Sequence, residues 1–171
     1  MHIVLLDADV IIDLHIFHIW NQIVDKNKIY ISSIILRQEV YFYEDYERIR
    51  HNIDLRKDIG SKFCEIFVSA EDLKKFSQQF DQVFEVELHE GEKEALKILQ
   101  DNNEILFCTF DKAAIKAIAL LGKREQGISF EKLLKSSGIT KKTEFKHTEK
   151  YFKKYLDEGS IMRIQSRGIK K

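Results

Sequence analysis

Proline is absent from this chain and cysteine occurs only twice. The missing proline carries no functional reading. The cysteines say more, because Cys64 and Cys108 each sit in an apolar run with no metal-ligand or redox spacing between them. A disulfide scaffold and a thiolate metal site are therefore excluded, and buried free thiols in a reducing compartment are expected. Long apolar runs are also lacking: none approaches the roughly 20 residues needed to span a bilayer, and no basic-then-apolar leader opens the chain. A soluble, cytoplasmic protein without a membrane partner is the expectation. What is present suffices for a sizeable core, with 44% hydrophobic and 11% aromatic residues over 171 positions.

The formal net charge of zero hides an asymmetry. Residues 141–171 hold ten Lys/Arg against four acids, a net of +6, which leaves the first 140 residues at −6. An acidic body with a basic tail suits a carboxylate site working on a polyanion, and a solvated, weakly ordered terminus gives the same count. The division expected is a main domain over 1–139 and a basic, partly helical extension over 140–171.

The opening stretch organises the rest. Ile3, Val4, Leu5 and Leu6 read as a short buried strand of the parallel-sheet kind. Asp7 stands where that strand ends, Asp9 two residues later and Asp13 one helical turn beyond. Three carboxylates beside a buried strand are costly without a cation or donors, so a hard divalent metal is one reading. The plainer reading makes Asp9 a helix cap and Asp13 solvated.

Apolar spacing through Val10, Ile11, Leu14, Phe17 and Ile23 suits one helix of about four turns capped by Asp9. A strand follows at residues 29–31, then a helix capped by Ser32 or Ser33 and running through Leu36, Val40 and Tyr43, with Glu39 on its flank. The charged stretch 44–57 continues that helix or forms a solvated connection. Residues 63–68 read as a third strand, and Ser69 with Asp72 starts another helix in capping-box fashion. Residues 83–88 alternate apolar and acidic, which suits an extended lead-in or edge strand.

The helix that follows carries Glu92 and Glu94. Glu92 lies on the apolar stripe with Ala95, Leu96 and Leu99, and Glu94 lies to one side near Ile98. A charge on a buried stripe needs a partner, so Glu92 is the acid to be explained, although either also suits a helix N-terminus. A further buried strand, 105–109, ends at Thr109 and Asp111, and Asp111 repeats the situation of Asp7 before a helix closed by Gly122. A last short strand over 126–129, a helix over 130–136 stopped by Gly138, and a tail helix over 148–156 ended by Gly159 complete the pattern.

Strands alternating with helices give an α/β class with a mainly parallel central sheet and helices on both faces. Parallel strands bring Asp7 and Asp111 to one edge, and Glu39 and Glu92 begin near it. Such a set suits Mg²⁺ or Mn²⁺, which bind carboxylates and leave positions open for phosphate oxygens.

At this point the chain resembles a known family, the PIN domain, a nuclease fold that includes the toxin ribonucleases of bacterial and archaeal toxin–antitoxin pairs. The resemblance rests on the segments Leu5-Leu6-Asp7-Ala8-Asp9, Ile31-Ser32-Ser33 to Glu39-Val40, Gly91-Glu92-Lys93-Glu94-Ala95 and Thr109-Phe110-Asp111, in that order. It covers roughly residues 1–139, and its Gly-Glu-x-Glu-Ala motif is that of a less studied branch. It implies a three-layer α/β/α fold, Asp7, Glu39, Glu92 and Asp111 as catalytic ligands of Mg²⁺ or Mn²⁺, Glu94 as fallback for the third acid, and Asp9 and Thr109 as additional site residues. It also implies RNA as substrate, an antitoxin protein as partner and a possible homodimer. Two features depart from the pattern: Asp9 replaces the usual Asn or Ser, and the basic tail has no counterpart.

A haloacid-dehalogenase-type phosphatase also opens strand–Asp-x-Asp, with Asp7 as nucleophile and Asp9 as general acid. No late Gly-Asp-x-x-x-Asp supports it. A catalytically degenerate PIN domain serving as a binding module is the non-enzymatic alternative.

Overall fold

The structure is a computed structural model and describes residues 1–40, 42–45 and 47–170. The chain runs β1 (Ile3–Leu6), α1 (Ala8–Ile16), α2 (Trp20–Lys26) and β2 (Lys28–Ser32), then a π-helical segment (Ile35–Glu39). A small hairpin of β3 (Phe42–Glu44) and β4 (Arg50–Asn52) leads to β5 (Phe63–Ile66), α3 (Ala70–Ser77), α4 (Gln82–Glu85) and α5 (Glu90–Asp101). The last part comprises β6 (Leu106–Cys108), α6 (Lys112–Leu120), β7 (Gly127–Ile128), α7 (Phe130–Ser136) and α8 (Glu149–Ile164).

The central sheet has the order β5-β2-β1-β6-β7, and every pairing in it is parallel. Strand order reverses between β1 and β6, so the crevice beyond their carboxyl ends is the topological switch point where open α/β sheets bind ligands. Side chains alternate across the sheet. Val4, Leu6, Ile29, Ile31 and Cys108 enter one core with α1, α2 and α7. Leu5 and Phe107 enter the other with α3, α5, α6 and α8. This is the expected three-layer α/β/α arrangement. Burying each such aliphatic or aromatic side chain contributes about 1.5–3 kcal/mol.

Five local expectations are corrected. The single helix after β1 is two helices, and its cap is Asp7, not Asp9: the Asp7 side chain accepts from Ala8 N and Asp9 lies in the first turn. The break falls at His18, whose φ of 56° closes α1 through Ile19 N donating to Leu14 O. Breaking there lets Phe17 pack on Phe130 while Trp20 turns back onto Phe63.

The helix expected through Tyr43 ends at Val40, and Tyr43 pairs with His51 in the hairpin. Neither serine caps it; Ser33 Oγ instead donates to Glu65, 2.7 Å away. The charged stretch after Glu44 is neither helix continuation nor plain connection, because Asp45 accepts from Glu47 N and Ile49 N and closes the hairpin turn. Residues 83–88 are not extended: Asp81 caps the short α4 through Phe84 N, which buries Phe84 and leaves Val83 and Val86 exposed.

Finally, α8 does not stop at Gly159 but runs on to Ile164. That glycine faces the backbone of Lys116 so closely that any side chain would collide with it, which is how α6 and α8 approach each other. The extension is therefore docked. Phe152 and Leu156 belong to the second core, and His147 is buried against Phe17, Phe110 and Phe130.

Candidate functional site

A cavity of about 400 Å³ lies beyond the carboxyl ends of β1 and β6, lined by Asp7, Ala8, Asp9, Ile12, Glu39, His89, Glu92 and Asp111. The four acids expected to converge do share this space, and each is positioned by a different segment.

Asp7 follows β1 directly and is held there by its own N–H donating to Cys108 O across the sheet. Its Oδ1 accepts from Ala8 N at 2.8 Å and its Oδ2 from the Thr109 hydroxyl at 2.5 Å. Burial pushes its carboxyl up to about 7, against the pull of the Thr109 and Ala8 bonds, and the charges of Asp9 and Glu39 add to the rise. Thr109, buried after β6, also accepts from Asp111 N at 3.0 Å, so one hydroxyl spaces two acids 104 positions apart in sequence. Asp111 caps α6 through Ala114 N.

Glu92 closes the capping box of α5 by accepting from His89 N at 2.8 Å. Its carboxyl is pushed up to about 8, first by burial and then by the charges of Asp111 and Asp7. Glu39 ends the π-helical segment and lies over Gly91, where any side chain would collide with its carboxylate. Burial raises Glu39 as well, opposed by the Gly91 N–H and His89 and reinforced by Asp9 and Glu94. A side chain at position 91 would push the Glu39 carboxylate, the movable end of that residue, out of this space.

The remaining acids separate into distinct roles. Asp9 stands at the cavity rim, raised by its partial enclosure, lowered by Lys146 and raised again by Asp13 and Asp111. Glu94 is more deeply buried than Glu92, contrary to its expected place beside the stripe. It accepts from Ile34 N at 2.8 Å and Val68 N at 3.0 Å, tying the loops after β2 and β5 to α5. It lines a second cavity of about 510 Å³ with Arg37, Phe67 and Leu73, not the one that holds Glu92. Asp13 leaves the site altogether: it is buried, bonded to His147 Nε2 at 2.7 Å and paired with Lys146 at 3.2 Å. Burial alone would raise its pKa, but the His147 bond and the Lys146 charge outweigh that and hold it below the usual range.

Two cavity neighbours escaped the sequence reading. His89 carries a weak signal, since it stands two residues before Gly91 of the Gly-Glu motif at a cap position. Lys146 carries none, because only the docking of the extension brings it to Asp9 and Asp13.

The donor set is all oxygen, the chemistry that suits a hard divalent cation. As placed, no three His, Cys, Asp or Glu side chains among the described residues are grouped to close on one ion. Asp7, Glu92 and Asp111 are each turned onto backbone N–H groups at the starts of helices, where partial positive charge favours them. No helix among the described residues is long and apolar enough to cross a membrane. Comparisons of the chain with family models, with curated proteins and with solved structures return no match.

Proposed function

We propose that this protein is a metal-dependent endoribonuclease that hydrolyses phosphodiesters of single-stranded RNA. The observation that carries the reading is the shared cavity of Asp7, Glu39, Glu92 and Asp111 at the switch point, with two carboxyls pushed to about 7 and 8. Such shifts mark acids whose charged form is penalised first by burial and then by neighbouring carboxylates. A divalent cation would offset both.

Asp7, Glu39, Glu92 and Asp111 would hold Mg²⁺ or Mn²⁺. When bound, such an ion activates water for in-line attack and stabilises the leaving oxygen. The chain's own residues set the stage. Thr109 fixes the distance between Asp7 and Asp111. Gly91 leaves room for Glu39, and the His89 N–H orients Glu92. Asp9 at the rim adds a charge that shapes the approach to the cavity.

The phosphatase reading fares worse because no late Gly-Asp-x-x-x-Asp accompanies the opening Asp-x-Asp. The binding-module reading draws on the capping roles of Asp7, Glu92 and Asp111. Capping explains neither Glu39 over Gly91 nor the raised carboxyls.

The test is cleavage of end-labelled single-stranded RNA by purified protein with Mg²⁺ or Mn²⁺ and with chelator. Metal-dependent cleavage lost in Asp7→Asn is the expected result. Cleavage indifferent to chelator, or to Asp7→Asn, overturns the reading, and metal binding without cleavage of any RNA favours the binding module. A role as the toxin of a toxin–antitoxin pair is the finer form of this proposal. Growth arrest on expression, relieved by the product of an adjacent reading frame, is its check.

A further inference from the structure

We propose that Phe145, Tyr151 and Tyr155, with Lys112 and Lys154, form a binding strip for single-stranded RNA that starts at the rim of the acid cavity. The proposal deepens the nuclease reading and rests on it for the nature of the polyanion.

The three rings form a continuous ladder. Phe145 and Tyr151 lie 5.7 Å apart edge-on, and Tyr151 and Tyr155 lie 4.8 Å apart. Phe145 is 60% exposed, an apolar face left open to solvent. Around Tyr155 three ammonium groups gather, Lys154 at 5.0 Å from the ring centroid and Lys112 and Lys116 at 5.6 Å. Lys116 is paired with Glu158 at 3.2 Å, whereas Lys112 and Lys154 have no ion pair among the described residues. Attraction to one ring face is weak against the mutual repulsion of like charges, so this arrangement suits a polyanion.

The acids of α8 do not supply the missing counter-charge. Glu149 accepts from Ser129 and Asp157 pairs with Arg124. Glu158 is held by Lys116. The strip is also joined to the cavity. Tyr151 donates its hydroxyl to Phe110 O, one residue before Asp111, and Lys112 follows that acid directly. Lys146 pairs with Asp13 and lies 5.2 Å from the Phe110 ring centroid, on the side where Asp9 marks the rim. An exposed aromatic ring for bases beside a cluster of cations for phosphates is the pattern by which single strands are held without sequence readout. A strand lying on this strip would reach the four acids with its backbone.

The experiment uses the full chain carrying Asp7→Asn, a fluorescein-labelled 12-nucleotide single-stranded RNA and anisotropy over a range of KCl. Adding Lys112→Glu and Lys154→Glu should weaken binding about tenfold or more. The slope of log affinity against log salt should fall by about 1.4 for two lost phosphate contacts. Lys112→Arg with Lys154→Arg should bind within about twofold of the parent, and a duplex of equal length should bind more weakly than the single strand. Charge-reversed protein that binds as tightly as its parent with an unchanged salt slope overturns the strip. A parent that binds no RNA, or that binds duplex equally well, overturns it too. RNA binding through the strip by a wild-type chain that cleaves nothing with Mn²⁺ leaves the strip standing and removes the nuclease reading. Cleavage with charge-insensitive binding does the reverse.

Discussion

The Thr109 hydroxyl donates to Asp7 Oδ2 at 2.5 Å, and Thr109 Oγ1 itself accepts from the backbone N–H of Asp111 at 3.0 Å. One buried side chain thus sets the separation of the acids that follow the two central strands.

Thr109→Val removes a bond that favours the ionised form of Asp7, so the Asp7 pKa should rise above its already raised value of about 7. The loss of stability should be about 1–3 kcal/mol at pH 8, where Asp7 is ionised, and smaller at pH 5.5, where it is protonated. Thr109→Ser should keep most of it. Urea unfolding at the two pH values measures this, and an equal loss at both would show that Thr109 acts through packing alone.

Without metal, the protein should lose stability as pH rises from 6.5 to 8.5. Asp7 and Glu92 have folded-state pKa values of about 7 and 8, well above their unfolded values near 4. The folded state therefore binds more protons in this window, and stability falls with pH. The loss should be about 2–3 kcal/mol, at about 1.4 kcal/mol per pKa unit. His15, whose pKa burial lowers to about 4, works in the opposite sense and mainly below pH 6.5. Mn²⁺ should raise Tm most at the alkaline end, and Asp7→Asn with Glu92→Gln should flatten the profile. A flat profile in the parent protein with chelator counts against the uncompensated acids.

His147→Ala should cost about 3–5 kcal/mol. It empties a site enclosed by three aromatic rings and leaves the Asp13 carboxylate buried without its nearest partner. Asp13→Asn should cost less, since an amide oxygen can still accept from Nε2. Denaturant midpoints give both values. A His147→Ala protein as stable as wild type would mean that the extension is not anchored through this pair.

Gly159→Ala should destabilise by about 1–3 kcal/mol although alanine is the better helix former. The gain of about 1 kcal/mol in helix propensity is outweighed by collision with the Lys116 backbone. Thermal unfolding checks the sign, and a rise in Tm would place the α6–α8 contact further apart than it stands here.

The parts of this fold that were legible in the sequence are those set by neighbours along the chain. The runs 3–6 and 29–31 announce strands because sheet cores demand consecutive apolar residues. Ser69 announces a helix start because its hydroxyl reaches Asp72 N within one turn. The acids Asp7 and Asp111 were found for the same reason, as polar residues closing apolar strands. The misreadings are of two kinds, local patterns that compete and groups whose partners are remote. Residues 83–88 alternate like a strand, but the local cap at Asp81 and the burial of Phe84 outweigh alternation. Gly159 reads as a stop until α6 is seen against it.

The sequence alone therefore determined the α/β alternation and the acids at strand ends, because periodicity and capping act within a few residues. Only the tertiary structure decided which acids face one cavity. It turned Glu94 to the Ile34 and Val68 backbone, took Asp13 to His147 134 residues away, and left Glu92 with Asp7 and Asp111. The reason is energetic: a buried carboxylate goes to whichever donor the packing brings within reach, and no local pattern records donors contributed by distant segments.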